Sequence, residues 1–266
     1  ASGRLPLNRP LWVCANLVLE VFAGAARVTA AARSHPFFEK GVCEPWDILY
    51  GECYDVLQIS NLRRVLLLIG SGHVVFTWLG TPCSSFSKAR KWDGGAAPLR
   101  DPSNIVLSAP WVSSPGDLEK VETGNKLADT SARIALVSHW ARAWYVIENG
   151  HRTDLWRHPA IIEALSITGA ADVEVDYCGW ALDSFLGPGS PWQKRTRLSG
   201  TLPGLYVLGR RRCTGGRRCS FTGRSHVALS GKRDGVWLTR LAEPYPMGLC
   251  SAVIDLAAAA AAGRQP

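Results

Sequence analysis

Two periodicities alternate along the first two thirds of the chain. An apolar run at 17–22 ends near Gly24, and small residues at 23–33 follow in helical register, so the opening unit reads as strand, tight turn and helix. Residues 41–48 read as a second strand, and 61–69 as a helix whose Leu62, Val65, Leu66 and Ile69 share a face. A third strand is predicted at 74–79. After a Gly/Pro/Ser-rich stretch at 94–116, a long helix spans about 121–143, with Leu127, Ile134, Val137 and Trp140 as buried candidates. A strand at 145–148, a helix begun by Pro159 and running to 167, and an alternating strand at 173–177 continue the pattern. This alternation predicts an α/β fold, a doubly wound and mostly parallel sheet whose ligands bind beyond the carboxyl ends of its strands. From 196 onward the helical period is lost. The chain therefore divides into a domain at 1–197, a small irregular β-rich lobe at 198–243, and a segment at 244–266 whose helix packs back on the first domain.

With 266 residues, 47% of them hydrophobic, the chain has enough apolar material for a large core. The most apolar stretch, 65–79, is interrupted by Gly70, Ser71, Gly72 and His73, so no membrane span is predicted. The start has neither Met nor an apolar signal core, and the only Met is Met247, which reads as a segment of a larger polyprotein. Eight cysteines spread through such a chain do not look like a disulfide framework, and an intracellular, reducing location is expected. The net charge of +8 favours a polyanionic partner. Arg210, Arg211, Arg212, Arg217, Arg218 and Arg224 concentrate it in one strip without an acid, as a local phosphate contact would require.

Four segments carry candidate chemistry. In the first, Ala23, Gly24, Ala25 and Ala26 let a backbone turn approach a cofactor closely, or simply pack helix on strand. In the second, Cys83 follows a strand end and Pro82, with hydroxyls and cations behind it. A thiol there can be activated by positive charge, although most cysteines are merely buried. Third, Glu148 ends an apolar strand, where burial would raise its pKa and fit it to donate a proton, unless it only caps a loop or pairs with arginine. Fourth, Arg195 and Arg197 share a strand face and could meet a base oxygen or a phosphate together, or form an exposed basic edge.

Taken in this order the segments resemble the cytosine-C5 DNA methyltransferase family, in the compact form carried by eukaryotic transposable elements. The family's cofactor turn corresponds to Phe22-Ala23-Gly24-Ala25-Ala26 just after Glu20, and its nucleophile motif to Pro82-Cys83 with Phe86-Ser87 following. Its Glu-Asn pair is Glu148-Asn149, and its Gln-x-Arg-x-Arg motif is Gln193-Lys194-Arg195-Thr196-Arg197. Asp47-Ile48 resembles the pair that grips ribose and adenine, with Glu44 a rival for the ribose, and Asp55-Val56 resembles the adenine contact. The chain departs from the family in Ala26 and Gly150, in its long loop after Cys83, and in a very short recognition region after Arg197.

The resemblance implies a Rossmann-like fold, S-adenosylmethionine as cofactor and a flipped cytosine as substrate. Cys83 would add to carbon 6 of the ring, Glu148 would hydrogen-bond nitrogen 3, Arg197 would hold oxygen 2, and Arg195 would brace Glu148 or a phosphate. Ser85, Ser87, Lys88 and Arg90 would join the arginine strip in contacting nucleic acid, with 88–116 as a lid over the extruded base. DNA is the expected partner of a monomeric, nuclear enzyme. RNA methylation by the same route, and a retired scaffold that only binds nucleic acid, remain open alternatives. Finally, Cys213, Cys219 and His226, with Cys178 as a fourth ligand, could hold zinc in a lobe too small to support itself; a flexible loop with incidental thiols is the other reading.

Overall fold

The computed structural model describes residues 16–39, 41–88, 97–180 and 191–263. It is an α/β protein built on one mixed, five-stranded sheet in the order β1-β2-β3-β5-β4. The strands are β1 Leu17–Val21, β2 Val74–Leu79, β3 Trp144–Gly150, β4 Ala171–Asp176 and β5 Arg195–Gly200. The first three pair in parallel, and β5 runs antiparallel between β3 and β4, so β1 to β4 all point the same way. The sheet is thus parallel where the chain begins and antiparallel where β5 is inserted, rather than parallel throughout.

Side chains that alternate across the strands feed two cores. On one face Val18, Phe76, Trp78, Val146 and Leu198 meet α1 (Arg27–Arg33) and the last long helix, Met247–Ala262. On the other, Leu19, Val21, Leu79, Tyr145 and Ile147 meet α2 (Ile59–Gly70), α3 (Pro115–Trp140) and α4 (Pro159–Thr168). Burial on both faces is why these strands read as continuous apolar runs.

Several expectations need correction. Residues 41–48 are not a regular strand: only Val42 and Trp46 bridge to β1, in parallel. Pro45 lacks the N–H that a ladder needs there. Helix α3 begins six residues earlier than expected, at Pro115, and ends at Trp140, before Arg142 takes a left-handed φ of 59°. Trp140, expected inside, is 66% exposed, because α3 buries small residues such as Gly124, Ala128 and Ala132 instead. The segment after β5 is irregular but not β-rich. Among the described residues it holds a 3-10 stretch, Leu205–Arg211, and two-residue strands β6 (Lys232–Arg233) and β7 (Val236–Trp237), followed by a single helical turn, α5 (Leu238–Leu241). The boundary expected at 197 falls inside β5, and Leu202, Leu205 and Leu208 join the main core. No helix among the described residues is long and apolar enough to cross a membrane.

Candidate active-site cleft and metal centre

From β1 the chain passes to one side, where 41–46 lies against it, and then crosses back to form β2 on the other. That reversal makes a switch point, and a crevice is expected beyond the carboxyl ends of β1 and β2. A cleft of about 590 Å³ lies there. Its floor is the turn after β1, its walls are the loop after β2 and the end of β3, and residues from 236–245 close it from above.

The turn after β1 is conformationally unusual. Phe22, Gly24 and Ala26 all have left-handed φ, at 57°, 51° and 50°. A bulky residue rarely adopts this region unless its surroundings impose it. The imposition is visible: Phe22 N and Ala23 N both donate to Trp46 O, and Gly24 N donates to Asp47 Oδ2 at 2.9 Å. The other oxygen of Asp47 accepts from Leu49 N at 2.9 Å, so one carboxylate fixes both edges of the cleft floor. Gly80 is needed opposite, since a Cβ there would lie 2.5 Å from the Tyr245 hydroxyl and 2.8 Å from Phe22 O.

Phe22, Ala23, Gly24, Asp47 and Pro82 line the cleft as expected of cofactor contacts. Four others do not. Glu20 is buried and turned to the start of α1, where it accepts hydrogen bonds from Val28 N, Thr29 N and the Thr29 hydroxyl. Burial raises its pKa despite those bonds, and its carboxyl caps a helix rather than facing a ligand. Asp55 accepts from Leu57 N, and Val56 is buried in the core beneath α2. Ile48 is 61% exposed outside the cleft, and Leu49 lines it instead. Glu44, the rival acid, pairs with Arg33 on the surface.

Cys83 and Glu148 line the same cleft. Cys83 is exposed within it, in the first turn after β2, and its carbonyl accepts from Phe86 N and Ser87 N. Desolvation by the walls pushes its thiol pKa up, with Lys194 opposing and Glu148 and Glu243 reinforcing the rise. Glu148 is buried at the end of β3 and accepts from the hydroxyls of Thr196 and Tyr245, the latter at 2.9 Å. Its neighbour Asn149 takes the opposite face of β3 and donates to Thr81 O at 2.7 Å, which pins the loop carrying Cys83.

The two arginines do not converge on this site. Glu148 stands opposite Leu198 in the β3–β5 ladder, so Thr196 and Leu198 share its face while Arg195 and Arg197 take the other. There Arg195 forms a two-pronged pair with Asp176 at 2.9 and 3.1 Å. Arg197 does the same with Asp172 at 2.9 and 2.7 Å and stacks over Trp156. Gln193, half-buried ahead of β5, lies outside the cleft as well. Arg27, Arg240 and Lys194 do line it, and the one whose charge acts on Cys83 is Lys194, which donates to Ala242 O at 3.2 Å and lies over the Tyr177 ring. Sequence reasoning missed Lys194, Thr196 and Tyr245. The strand alternation that paired the arginines also pairs Lys194 with Thr196, so the signal was present without the register to read it.

The expected nucleic-acid contacts near Cys83 are also redistributed. Ser85 is buried and accepts from Arg100 at 2.8 Å. Arg100, itself buried, donates further to Ile105 O, Asn125 Oδ1 and Val121 O and stacks on Phe86, tying this loop to α3; burial lowers its pKa to about 10. Ser87 is half-buried, Lys88 pairs with Asp154 at 2.8 Å, and Arg90 lies outside the described residues. All six arginines of the 210–224 strip are exposed.

Beyond the end of β4 the chain gathers Cys178, Cys213, Cys219 and His226, whose ligand atoms all lie within 4.8 Å of one another. This Cys3His cluster could hold a metal ion such as zinc, whose arms of ~2.3 Å place tetrahedral sulfurs about 3.8 Å apart. His226 is oriented by its other nitrogen, Nδ1, 2.9 Å from Gly216 O, which leaves Nε2 beside Cys213 Sγ at 3.6 Å. Burial alone would raise the Cys213 thiol, but hydrogen bonds from Ser220 more than offset it and bring its pKa to about 7. The turn also docks on the sheet, since Cys213 N donates to Asp176, the partner of Arg195. Comparison of the chain with protein-family models, with curated proteins and with solved structures finds no match.

Proposed function

We propose that this chain transfers a methyl group from S-adenosylmethionine to carbon 5 of a cytosine flipped out of DNA. The observation that carries the reading is the presence of both Cys83 and Glu148 in the lining of one cleft at the sheet's switch point. The cleft floor suits the cofactor: an added Cβ at Gly24 would meet nothing within 4 Å, and Asp47 and Leu49 supply an acid and an apolar surface at the edge. When bound, the cofactor supplies an electrophilic methyl on a sulfonium.

Cytosine carbon 5 is a poor nucleophile. The Cys83 sulfur, its proton passed to solvent water, would form a bond to carbon 6, and the electron pair this releases toward carbon 5 would make that carbon nucleophilic toward the methyl that the cofactor would supply, the sulfonium–methyl bond breaking to leave a neutral thioether. Glu148, held by Thr196 and Tyr245, would carry a proton and donate it in a hydrogen bond to ring nitrogen 3, stabilising the negative charge that develops there. Lys194, not Arg197, faces the base oxygen. A base or water then removes the carbon 5 proton, the carbon–sulfur bond breaks, and Cys83 is regenerated. Zinc in the Cys3His cluster serves structure rather than this chemistry, because four protein ligands leave no open position.

A duplex carrying 5-fluorocytosine tests the proposal, since fluorine blocks the final elimination. We expect a covalent, cofactor-dependent complex that Cys83→Ala abolishes; no adduct with DNA or RNA would refute the assignment, and an adduct with RNA alone would shift the substrate. A second reading, a nucleic-acid-binding scaffold without activity, is favoured by the arginines of β5 being engaged with Asp176 and Asp172 away from the cleft. It predicts no cofactor affinity by calorimetry.

A further inference from the structure

Strand order places the metal centre beside the cleft. The cleft lies beyond β1, β2 and β3, and Cys178 follows β4 directly, in the turn Tyr177–Gly179 on the same sheet edge. β4 is two strands from β3, so at ~4.8 Å per strand the metal turn sits roughly 10 Å to the side of the strand bearing Glu148. The chain that leaves the other end of the cluster, at His226, goes on to close the cleft through Val236, Arg240 and Tyr245.

The loop 210–226 has no apolar core of its own. Its only buried side chains are Cys213 and Cys219, both metal-ligand candidates. Apart from the cluster it is held by scattered bonds such as Cys219 N to Arg224 O, His226 N to Arg217 O and Cys213 N to Asp176. Yet it carries six exposed arginines. Arg212 is fixed by Glu174 and Arg211 lies over Trp180, whereas Arg217 and Arg218 have no side-chain ion pair or hydrogen bond among the described residues.

We propose that a bound metal ion shapes this loop into a rigid grip on the phosphate backbone of duplex DNA, and so presents the duplex to the adjacent cleft. A metal crosslink supplies order that the loop's sequence cannot, and ordered guanidinium groups position a backbone without reading bases. Single strands are held instead by stacking on aromatic rings, and Phe221 is the loop's one phenyl ring. The inference rests on the nucleic-acid partner of the proposed function but not on its chemistry.

The test is fluorescence anisotropy with a short labelled duplex and the full chain loaded with zinc. We expect verified zinc removal to weaken binding by about tenfold or more, reversibly, as several phosphate contacts lose their geometry. We expect Arg217→Gln with Arg218→Gln to retain stoichiometric zinc and to reduce the slope of log affinity against log salt by about 1.8, at 0.9 per contact. The double variant keeps the proposal falsifiable if metal removal unfolds the chain. Unchanged affinity without zinc, an unchanged slope in the double variant, or tighter binding of a single-stranded RNA overturns it. Cofactor calorimetry on the same samples separates the two proposals: zinc-dependent duplex binding without cofactor affinity sinks catalysis and leaves the grip, and the converse sinks the grip alone.

Discussion

Replacing Lys194 by alanine removes the cation that faces Cys83 inside the cleft. In the resting protein the loss is modest, because Lys194 is half-buried and makes one hydrogen bond to Ala242 O plus a contact over the Tyr177 ring, together worth about 1–2 kcal/mol. In the proposed reaction it is large. A preorganised donor aimed at developing charge contributes about 2.7–4 kcal/mol, so Lys194→Ala should slow methyl transfer by about 10²- to 10³-fold. It should also push the Cys83 thiol further up, since Lys194 is the one charge that opposes its rise, and alkylation at fixed pH should slow accordingly. The control is Arg197→Ala. That change breaks a partly exposed pair with Asp172 and a stack over Trp156, about 1 kcal/mol each at most, and touches nothing in the cleft. Its transfer rate should stay within about fivefold of the parent, the kinetic equivalent of ~1 kcal/mol. Single-turnover transfer of labelled methyl to duplex DNA, read beside thermal melts, decides the matter. A folded Arg197→Ala protein that loses two orders of magnitude, or a Lys194→Ala protein that loses none, would show that the face assignment is wrong.

Arg100→Ala should be among the more destabilising single changes, because it strands the buried Ile105 O and Ser85 Oγ and releases the part-buried Asn125 that together tie the Cys83 loop to α3, at a cost of about 3–5 kcal/mol; a urea midpoint shift equivalent to less than ~1 kcal/mol would refute that role. Glu20 gives a pH signature. Its folded pKa lies above the usual carboxyl value, so the folded state binds the proton more tightly, and stability should rise as pH falls through the folded pKa toward the unfolded one. Urea titrations across that window should show the slope in the parent and a flatter profile in Glu20→Gln; equal slopes would mean that the buried carboxyl is not the source.

Much of the fold was legible because apolar period and length suffice for elements buried on both faces: Leu17–Val21, Val74–Leu79 and Met247–Ala262 lie where the pattern puts them. Helix α3 blurred because its inner face is built of Gly124, Ala128 and Ala132, residues with little hydrophobic contrast. At the site, Cys83 and Glu148 could be placed from sequence because each ends a strand, and strand ends of a parallel sheet share one edge. Which face each side chain takes is another matter. A one-residue change of register exchanges the faces of a whole strand, and the antiparallel insertion of β5 was not readable from its own six residues. The cofactor assignments of Glu20 and Asp55 failed for a related reason: a carboxylate near a helix start is as readily taken by backbone N–H groups as by a ligand.

The outward-facing arginines then acquire a structural meaning. Arg195 stands directly opposite Asp176 in the β4–β5 ladder, and Arg197 reaches diagonally to Asp172, so the pairs clamp the two antiparallel strands together from the outside. Asp176 is the hinge between this clamp and the metal centre, because the same carboxylate that holds Arg195 also accepts the backbone N–H of Cys213. Arg195, through Asp176, thus serves in this geometry to fasten the Cys3His loop to the sheet. That leaves the inward-facing Lys194 and Thr196 of the same short segment to serve the cleft, and it makes the proposed nucleic-acid binding and the proposed chemistry separable by mutation along a single strand.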